Sequence, residues 1–327
     1  MKRFKDILCT VEPGKGCKTA LERAVMLAEN NQANLAVITV APSISAGIGM
    51  PEGGPISAEL QATTVNSHKQ ELENLVKPYR QRIKIGTRVL IGTPFLEIIR
   101  EVLRNAHDLV IKCPESLNWL DRLFSSDDKH LLRKCPCPVW MVRPQTGESF
   151  DHILAAVDVD ESYPSEELKT RQALNGMVME LAGSLAMSEF AQLHVAHAWE
   201  VIGESALRHG AFTRLPEDEV NAYVNQVFQH HAQLLDTLMK EVSAKLSQDV
   251  IDYIKPQLHM PKGSARKVIP ELAKELQVDC IVMGTVARTG VPGLFMGNTA
   301  ETILDQLECS VLAIKPPGFV TPVTLEG

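Results

Sequence analysis

The chain contains the same succession of short apolar runs and helical segments twice, and this repeat constrains its fold more than any other feature. The distance between matching residues grows from 146 positions (residue 153 against residue 7) to 172 positions (residue 309 against residue 137). Offsets that only increase indicate one ancestral order with insertions in loops, because chance alignments would not stay collinear. The sequence therefore predicts two related domains, residues 1–146 and residues 147–327. The matching pairs are residues 7–12 with 153–158, residues 33–40 with 191–198, Gly92 with Gly263, Asp108 with Asp279, and Cys137 with Cys309.

Both copies alternate short apolar runs with segments of helical periodicity. Residues 280–283 (CIVM) and 311–314 (VLAI) are too short for helices and contain no polar residue, which is typical of buried parallel strands. Parallel neighbours need a crossover segment, and the helical segments supply one between successive strands. We therefore predict an α/β protein with two tandem Rossmann-like domains, each a five-stranded parallel sheet covered by helices on both faces.

The composition narrows the class of protein. The chain carries a formal net charge of −7, and 45% of its residues are hydrophobic and 22% charged. These proportions are typical of a folded globular protein, and the negative charge argues against a general binder of nucleic acid or anionic membranes. No apolar run approaches the roughly 20 residues that span a bilayer, and no apolar leader follows Met1. With seven cysteines at no framework spacing, we expect a reduced, cytoplasmic protein.

The second copy contains a glycine-bearing loop between a strand and a helix. The strand ends at Gly284, and the loop runs to Gly297 before a helical segment that Asn298 is predicted to cap. Such a loop presents backbone N–H groups to an anion, and ligands of parallel sheets bind beyond the carboxyl ends of the strands. Because the first strand of this copy ends at Asp158, we expect Asp158 and the loop to converge.

This loop resembles the nucleotide loop of the universal stress protein family. The family pattern is glycine, two residues, glycine, nine residues, glycine, and then serine or threonine. Here Gly284 and Gly297 occupy the outer glycine positions. Ala287 replaces the middle glycine, and Asn298 takes the serine or threonine position, with Thr299 one residue later. The resemblance covers nearly the whole chain and is to the family's tandem-domain form. Further matching segments are residues 131–136 (LLRKCP) and residues 297–304 (GNTAETIL).

The resemblance implies a non-enzymatic stress-response protein with a degenerate pocket for ATP or another adenine nucleotide in the second copy. In the family, the aspartate after the first strand contacts the nucleotide, residues of the second strand flank the base, and the loop holds the phosphates. Arg288 lies in this loop and carries a charge that suits a phosphate. The predicted ligand-binding residues are Asp158, Ala198, Met283, Gly284, Arg288, Gly297, Asn298 and Thr299.

The first copy lacks these features. Cys113 stands in place of the first loop glycine, and Ser125 or Ser126 stands in place of the last. A side chain at these positions blocks the close approach of backbone to a ligand. Glu12 replaces the aspartate with a longer carboxylate, so we predict a structural role for this copy.

Other functions stay open from the sequence. The pocket of the second copy could be closed, which would leave a structural or partner-binding protein, or it could take a less polar ligand under the extra connection at residues 199–216. A slow nucleotide hydrolase is a third hypothesis, although no nucleophile elbow, Walker lysine or zinc-binding helix pair occurs. In the family the final strands pair at the dimer edge. Residues 138–142 and 311–314 are therefore predicted to pair within the chain as a pseudo-dimer, with a homodimer as a further option.

The histidines do not predict a metal site. His194 and His197 lie three residues apart on one predicted strand and point to opposite faces, so they cannot share a metal ion through it. His230 and His231 are neighbours on a helix and diverge. His209 is the remaining candidate to join His197, but one loop histidine is weak support for a four-ligand site. We expect no bound metal.

Overall fold

The computed structural model describes residues 4–12, 18–44, 55–114, 124–144, 149–210, 214–245, 254–285 and 296–325. The chain divides into two compact units. Unit 1 comprises Met1–Glu148, Ser310–Lys315 and Phe319–Gly327, and unit 2 comprises Ser149–Cys309 and Pro316–Gly318.

Unit 1 is a sheet with helices in the connections. Its strands are β1 (Asp6–Thr10), β2 (Asn34–Ala41), β3 (Ile85–Ile91), β4 (Leu109–Lys112), β5 (Val139–Met141) and β10 (Ser310–Ile314). Its helices are α1 (Lys18–Asn31), α2 (Pro55–Val76), α3 (Pro94–Asn105) and α4 (Ser126–Lys134), with a short 3-10 helix at Lys77–Tyr79. The strand order is β3-β2-β1-β4-β5-β10. The first five strands are parallel, as predicted for this copy.

The last strand of the second copy, β10, runs antiparallel to β5, with Leu312 opposite Trp140. Both of these side chains are buried. The backbone N–H of Arg143 also donates to Oγ of Ser310 at 3.1 Å. The predicted pairing of residues 138–142 with residues 311–314 is therefore confirmed.

Unit 2 repeats the parallel arrangement. Its strands are β6 (His152–Ala156), β7 (Gln192–Ala196), β8 (Gln257–His259) and β9 (Cys280–Gly284), in the order β9-β6-β7-β8. All three pairings are parallel. Its helices are α5 (Ser165–Glu189), α6 (Glu204–His209), α7 (Glu217–Lys245), α8 (Ala265–Glu275) and α9 (Asn298–Leu304). The predicted α/β class, with two tandem copies and mostly parallel strands, is confirmed.

One glycine in each copy shows that the repeat extends to backbone conformation. Gly92 has φ +143°, and its counterpart Gly263 has φ +133°, a region that L side chains rarely adopt. Each glycine lies two residues before a helix. In unit 1, Thr93 occupies the cap position and Pro94 the first helical position, where its missing N–H costs nothing. The same turn therefore leads into α3 and α8.

Within the described ranges, no helix is long and apolar enough to cross a membrane. The six cysteines described there are all buried, where a free cysteine behaves as a small hydrophobic side chain.

Candidate ligand-binding site

Two neighbouring strands of unit 2 end where the candidate ligand residues lie. Because β6 and β9 are parallel, Asp158 and Gly284 come at the same edge of the sheet. The backbone N–H of Gly297 donates to the carbonyl oxygen of Thr285 at 3.0 Å. This hydrogen bond joins the two ends of the glycine-bearing loop, so the structure brings Gly284 and Gly297 close together.

Gly284 makes room for another side chain of the protein. A Cβ atom at position 284 would lie 2.3 Å from Cδ2 and 2.8 Å from Cγ of Leu174 on α5. Both distances are far inside van der Waals contact, so only a glycine admits Leu174 in this position. The space that a loop glycine would offer to a ligand is filled by a side chain of α5.

Gly284→Ala is expected to lower the free energy of unfolding by about 1–3 kcal/mol, because Leu174 or the backbone must move to admit the methyl group. In a Leu174→Ala background, the same substitution should cost much less. Chemical denaturation of the four proteins of this double-mutant cycle measures the coupling between the two positions. An equal cost in both backgrounds would show that the two residues do not contact each other.

Asp158 forms an ion pair inside unit 2. Its Oδ2 accepts a hydrogen bond from Nη1 of Arg171 on α5. The guanidinium carbon of Arg171 lies 3.4 Å from the centroid of the Tyr163 ring. Burial raises the pKa of Tyr163, and the negative charge of Asp158 raises it further. The carboxylate that is expected to contact a ligand therefore already has a cationic partner.

A third residue of α5 fixes the backbone at the same place. Oδ1 of Asn175 accepts from the N–H of Asp158 at 3.0 Å, and Nδ2 of Asn175 donates to the Asp158 carbonyl oxygen at 2.7 Å. The N–H of Asp160 in turn donates to Oδ1 of Asp158 at 3.3 Å. The segment after β6 is therefore held in place by α5.

The other end of the site, at the start of α9, is more exposed. The helix begins at Asn298, and Gly297 occupies the cap position with φ −61° and ψ 138°. The predicted cap at Asn298 was wrong by one residue, because Gly297 already has the extended backbone of a cap residue. Asn298 and Thr299 are both exposed. This end presents polar side chains to solvent, whereas the Asp158 end is filled from within.

Arg266 is a residue of this end that sequence reasoning missed. It lies in the first turn of α8, and its Nε is 3.4 Å from Oγ1 of Thr299. Nε2 of Gln306 donates to its carbonyl oxygen at 3.0 Å, which links α8 to the segment after α9. The available signal was its position just after Gly263, beyond the end of a parallel strand, where ligand residues collect.

The remaining predicted residues are spread over different environments. Met283 is buried within β9, and Ala198 is half-buried beyond the end of β7. Arg288 falls in residues 286–295, outside the described part of the chain. Trp199 is buried and packs against Phe228 of α7, with ring centroids 5.3 Å apart.

The extra connection at residues 199–216 contains α6 and does not turn all its apolar residues inward. Ile202 is 84% exposed and Leu215 is 41% exposed. Phe212 lies outside the described residues. A cover for a less polar ligand would need these side chains to point into the pocket, so the exposed pair gives that hypothesis no support.

A buried histidine pair lies beside the Asp158 end. Nε2 of His197 is 3.0 Å from Nδ1 of His231 on α7. Burial lowers the pKa of both rings, while Asp158 and Asp160 act in the opposite direction on each of them. Sequence reasoning gave His231 no partner, because nothing in the sequence shows that α7 packs over the end of β7.

A second histidine group crosses three adjacent strands of unit 2. Nδ1 of His152 is 3.1 Å from Nε2 of His194, and Nδ1 of His194 is 3.0 Å from Nε2 of His259. We call these three residues the histidine chain. Burial, followed by the charges of His259 and His152, lowers the pKa of His194 from 6.5 to about 4. The two ring nitrogens of His194 face different partners, so the three rings do not converge on one point.

Among the described residues, no group of three or more His, Cys, Asp or Glu side chains is arranged to hold a metal ion. His194 and His197 belong to separate groups with separate partners. Their contacts are hydrogen bonds between rings, which engage both ring nitrogens of His194 and Nε2 of His197.

In unit 1, a buried lysine lies at the edge of the sheet that corresponds to the candidate ligand site of unit 2. Nζ of Lys112 at the end of β4 lies 2.7 Å from Oδ1 of Asp128 and 3.4 Å from Oε1 of Glu12. The Lys112 side chain is 5% exposed, and that of Asp128 is 0% exposed. Cys113, which follows Lys112, is also buried. This edge of the unit 1 sheet is therefore packed with protein side chains.

Comparison with known proteins gives the same family for both copies. The model of the "Universal stress protein family" matches residues 3–143 and residues 149–315. Universal stress protein E of Escherichia coli K12 is 29% identical over 332 residues, covering 100% of this chain and 98% of the relative. The universal stress protein E homolog of Haemophilus influenzae is 30% identical over 326 residues, covering 96% of this chain and 98% of the relative.

A solved structure extends the likeness to three dimensions. A putative universal stress protein from Pseudomonas aeruginosa has a TM-score of 0.68 and 27% sequence identity, covering 96% of this chain and 94% of that chain. The match of sequence and fold over both copies means that the chain belongs to the universal stress protein family, with two tandem copies of the family's domain.

Proposed function

We propose that this protein is a non-enzymatic binding module of the stress response, in which the second copy, residues 147–327, binds the phosphate groups of an adenine nucleotide. The observation that carries the proposal is the open end of the site, where exposed Asn298 and Thr299 lie at the start of α9 beside Arg266. Hydroxyl, amide and guanidinium groups together suit a phosphate. The hydrogen bond from Gly297 to Thr285 supports the loop ends next to them.

The first copy, residues 1–146, has a structural role in this proposal. Glu12 already faces the ammonium group of Lys112 at 3.4 Å, and Cys113 is buried where the family has a loop glycine. A ligand would have to displace a partly buried ion pair before it could reach this edge, and such displacement is costly.

Gly297→Val is expected to weaken ATP binding more than tenfold, because the branched side chain would stand where the phosphates approach the backbone. The fold should tolerate the change, since Gly297 has an ordinary φ of −61° and, among the described residues, a Cβ there would meet the Thr285 carbonyl oxygen at 4.0 Å. Isothermal calorimetry with ATP measures the affinity, and circular dichroism checks the fold.

The matched control is Gly86→Val in β3 of unit 1. Gly86 is exposed, and a Cβ there would meet the Leu35 carbonyl oxygen at 3.9 Å, so the steric change is similar. ATP affinity should be unchanged in this variant. Equal affinity in wild type and Gly297→Val would contradict the assignment of the phosphates to the start of α9.

A partner-binding protein with closed pockets is the second candidate function. The contacts of Arg171 with Asp158 and of Leu174 with Gly284 favour it, because both fill the edge that a nucleotide would use. If no adenine nucleotide releases heat with the wild type or with variants that lack these contacts, this second function becomes the better account.

A further inference from the structure

The connection between β6 and β7 is longer than its counterpart between β1 and β2. Helix α5 has 25 residues, whereas α1 has 14 described residues. The alignment of the copies places Gly176 opposite Lys18, because the offset is 158 positions at the following strand (residue 191 against residue 33). Residues 165–175 are therefore the part of α5 that precedes the residues matching the described helix α1, and we call this part the extension.

This extension contributes three α5 side chains that fill the site. Arg171 pairs with Asp158, Leu174 occupies the space beside Gly284, and Asn175 holds the backbone of Asp158. Positions three and four apart lie on one face of a helix, so the three residues act from the same side. Two of the residues they contact, Asp158 and Gly284, are those expected to contact a nucleotide.

The extension is less buried than the rest of α5, and Leu174 and Asn175 at its end are its buried residues. Ser165, Glu166 and Lys169 are exposed. The later part of the helix is anchored in the core by a row of buried side chains, which are Val178, Met179, Leu181, Ala182, Leu185 and Ala186. Segments with few buried apolar side chains open at lower cost than core segments. The extension can therefore open while the anchored part keeps its place.

We propose that residues 165–175 are a plug that competes with the nucleotide for the pocket of unit 2. The closed state, with Arg171 on Asp158 and Leu174 on Gly284, excludes the ligand from this edge. A ligand that needs the open state binds with an apparent affinity reduced by the fraction of open molecules. The plug proposal rests on the proposed nucleotide site and adds its regulation.

Hydrogen exchange on the unaltered protein tests the plug directly. Saturation with ATP should raise the amide exchange rates of residues 165–175 by about tenfold or more, because the bound state holds this segment open. Exchange in the anchored part of α5, after residue 176, should not increase. Slower exchange of residues 165–175 with ATP bound would overturn the plug and leave nucleotide binding intact.

Calorimetry on an open variant gives an independent test. The double variant Arg171→Ala/Leu174→Ala should bind ATP about tenfold more tightly than wild type, because fewer molecules are closed. Removing a positive charge near a polyanion would by itself weaken binding, so tighter binding points to the plug. Lys169→Ala, an exposed residue of the same extension, removes the same charge and should give no gain.

The outcomes separate the two proposals. If the open variant binds ATP and the wild type binds it more weakly, both the nucleotide site and the plug are supported. Equal affinity of wild type and the open variant overturns the plug and keeps the nucleotide site. Absence of binding by both proteins overturns the nucleotide site, and the plug is overturned with it.

Discussion

Lys112→Met is expected to lower the free energy of unfolding by about 3–5 kcal/mol, although methionine is the more apolar side chain. The ammonium group lies 2.7 Å from Asp128, whose side chain is 0% exposed. Its loss leaves the Asp128 carboxylate in a buried position without its cationic neighbour, which is much more costly than losing an exposed pair. Urea denaturation measures the loss of stability, and amide hydrogen exchange in β4 and β5 shows that this loss lies within unit 1.

Two further variants serve as controls for this expected loss of stability. Lys18→Met breaks the ion pair between Lys18 and Glu22, whose two side chains are 72% and 47% exposed. We expect this change to lower the free energy of unfolding by at most about 1 kcal/mol. Lys112→Met combined with Asp128→Asn removes both charges and should recover much of the loss. A cost for Lys112→Met no larger than that for Lys18→Met would contradict the structural role given to this ion pair.

The same charge arrangement occurs at the equivalent carboxylate of each unit. Glu12 and Asp158 occupy matching positions, and each has a cation of the protein beside it. In unit 1 the cation, Lys112, belongs to a central strand of the sheet. In unit 2 the cation, Arg171, belongs to the end of a helix. A strand cannot leave its sheet without loss of the core, so the plug that we propose, in which a ligand replaces the protein's own cation, is specific to the helical segment of unit 2.

The fold was predictable from the sequence because its signals are local and repeated. Short apolar runs fix the parallel strands, and Gly92 and Gly263 fix the same turn in both copies. The collinear offsets then assign one architecture to both halves. The pairing of β5 with β10 followed from the family resemblance, and the structure confirms it.

The contacts at the site were not predictable in the same way. Leu174 and Gly284 are far apart in the sequence, and no periodicity shows that one fills the space of the other. Arg171 would have been read as one of many exposed helix charges. The one usable signal was the rise of the offset from 146 to 158 positions (residue 153 against 7, then 191 against 33), which marks an insertion beside the site. Its placement on α5 needed the structure.

Lowering the pH from 7 to 4 is expected to destabilise unit 2 by about 3 kcal/mol through His194 alone. The pKa of His194 is about 4 in the folded protein and 6.5 for an ordinary histidine. Above pH 6.5 both states are neutral, and the full stability is present. As the pH falls below 6.5, the unfolded chain takes up a proton that the folded protein does not, so stability is lost until the folded pKa is reached. About 2 kcal/mol of the loss should appear by pH 5.

Three other histidines of unit 2 act in the same direction as His194. Burial lowers the pKa of His259, with Glu275 opposing it, and burial also lowers the pKa of His197 and His231. Acid should therefore weaken both the histidine chain and the packing of α7. Chemical denaturation at pH 7 and pH 5 measures how the free energy of unfolding changes with pH. Amide hydrogen exchange in β7 at the same two pH values shows whether the change lies in unit 2.

His194→Gln separates the histidine chain from general acid denaturation. Glutamine keeps a neutral hydrogen-bonding side chain but takes up no proton, so this variant should be less stable than wild type at pH 7 and should lose less stability between pH 7 and pH 5. An unchanged slope in His194→Gln would contradict the assignment, because acid lability would then come from groups other than the buried ring between His152 and His259.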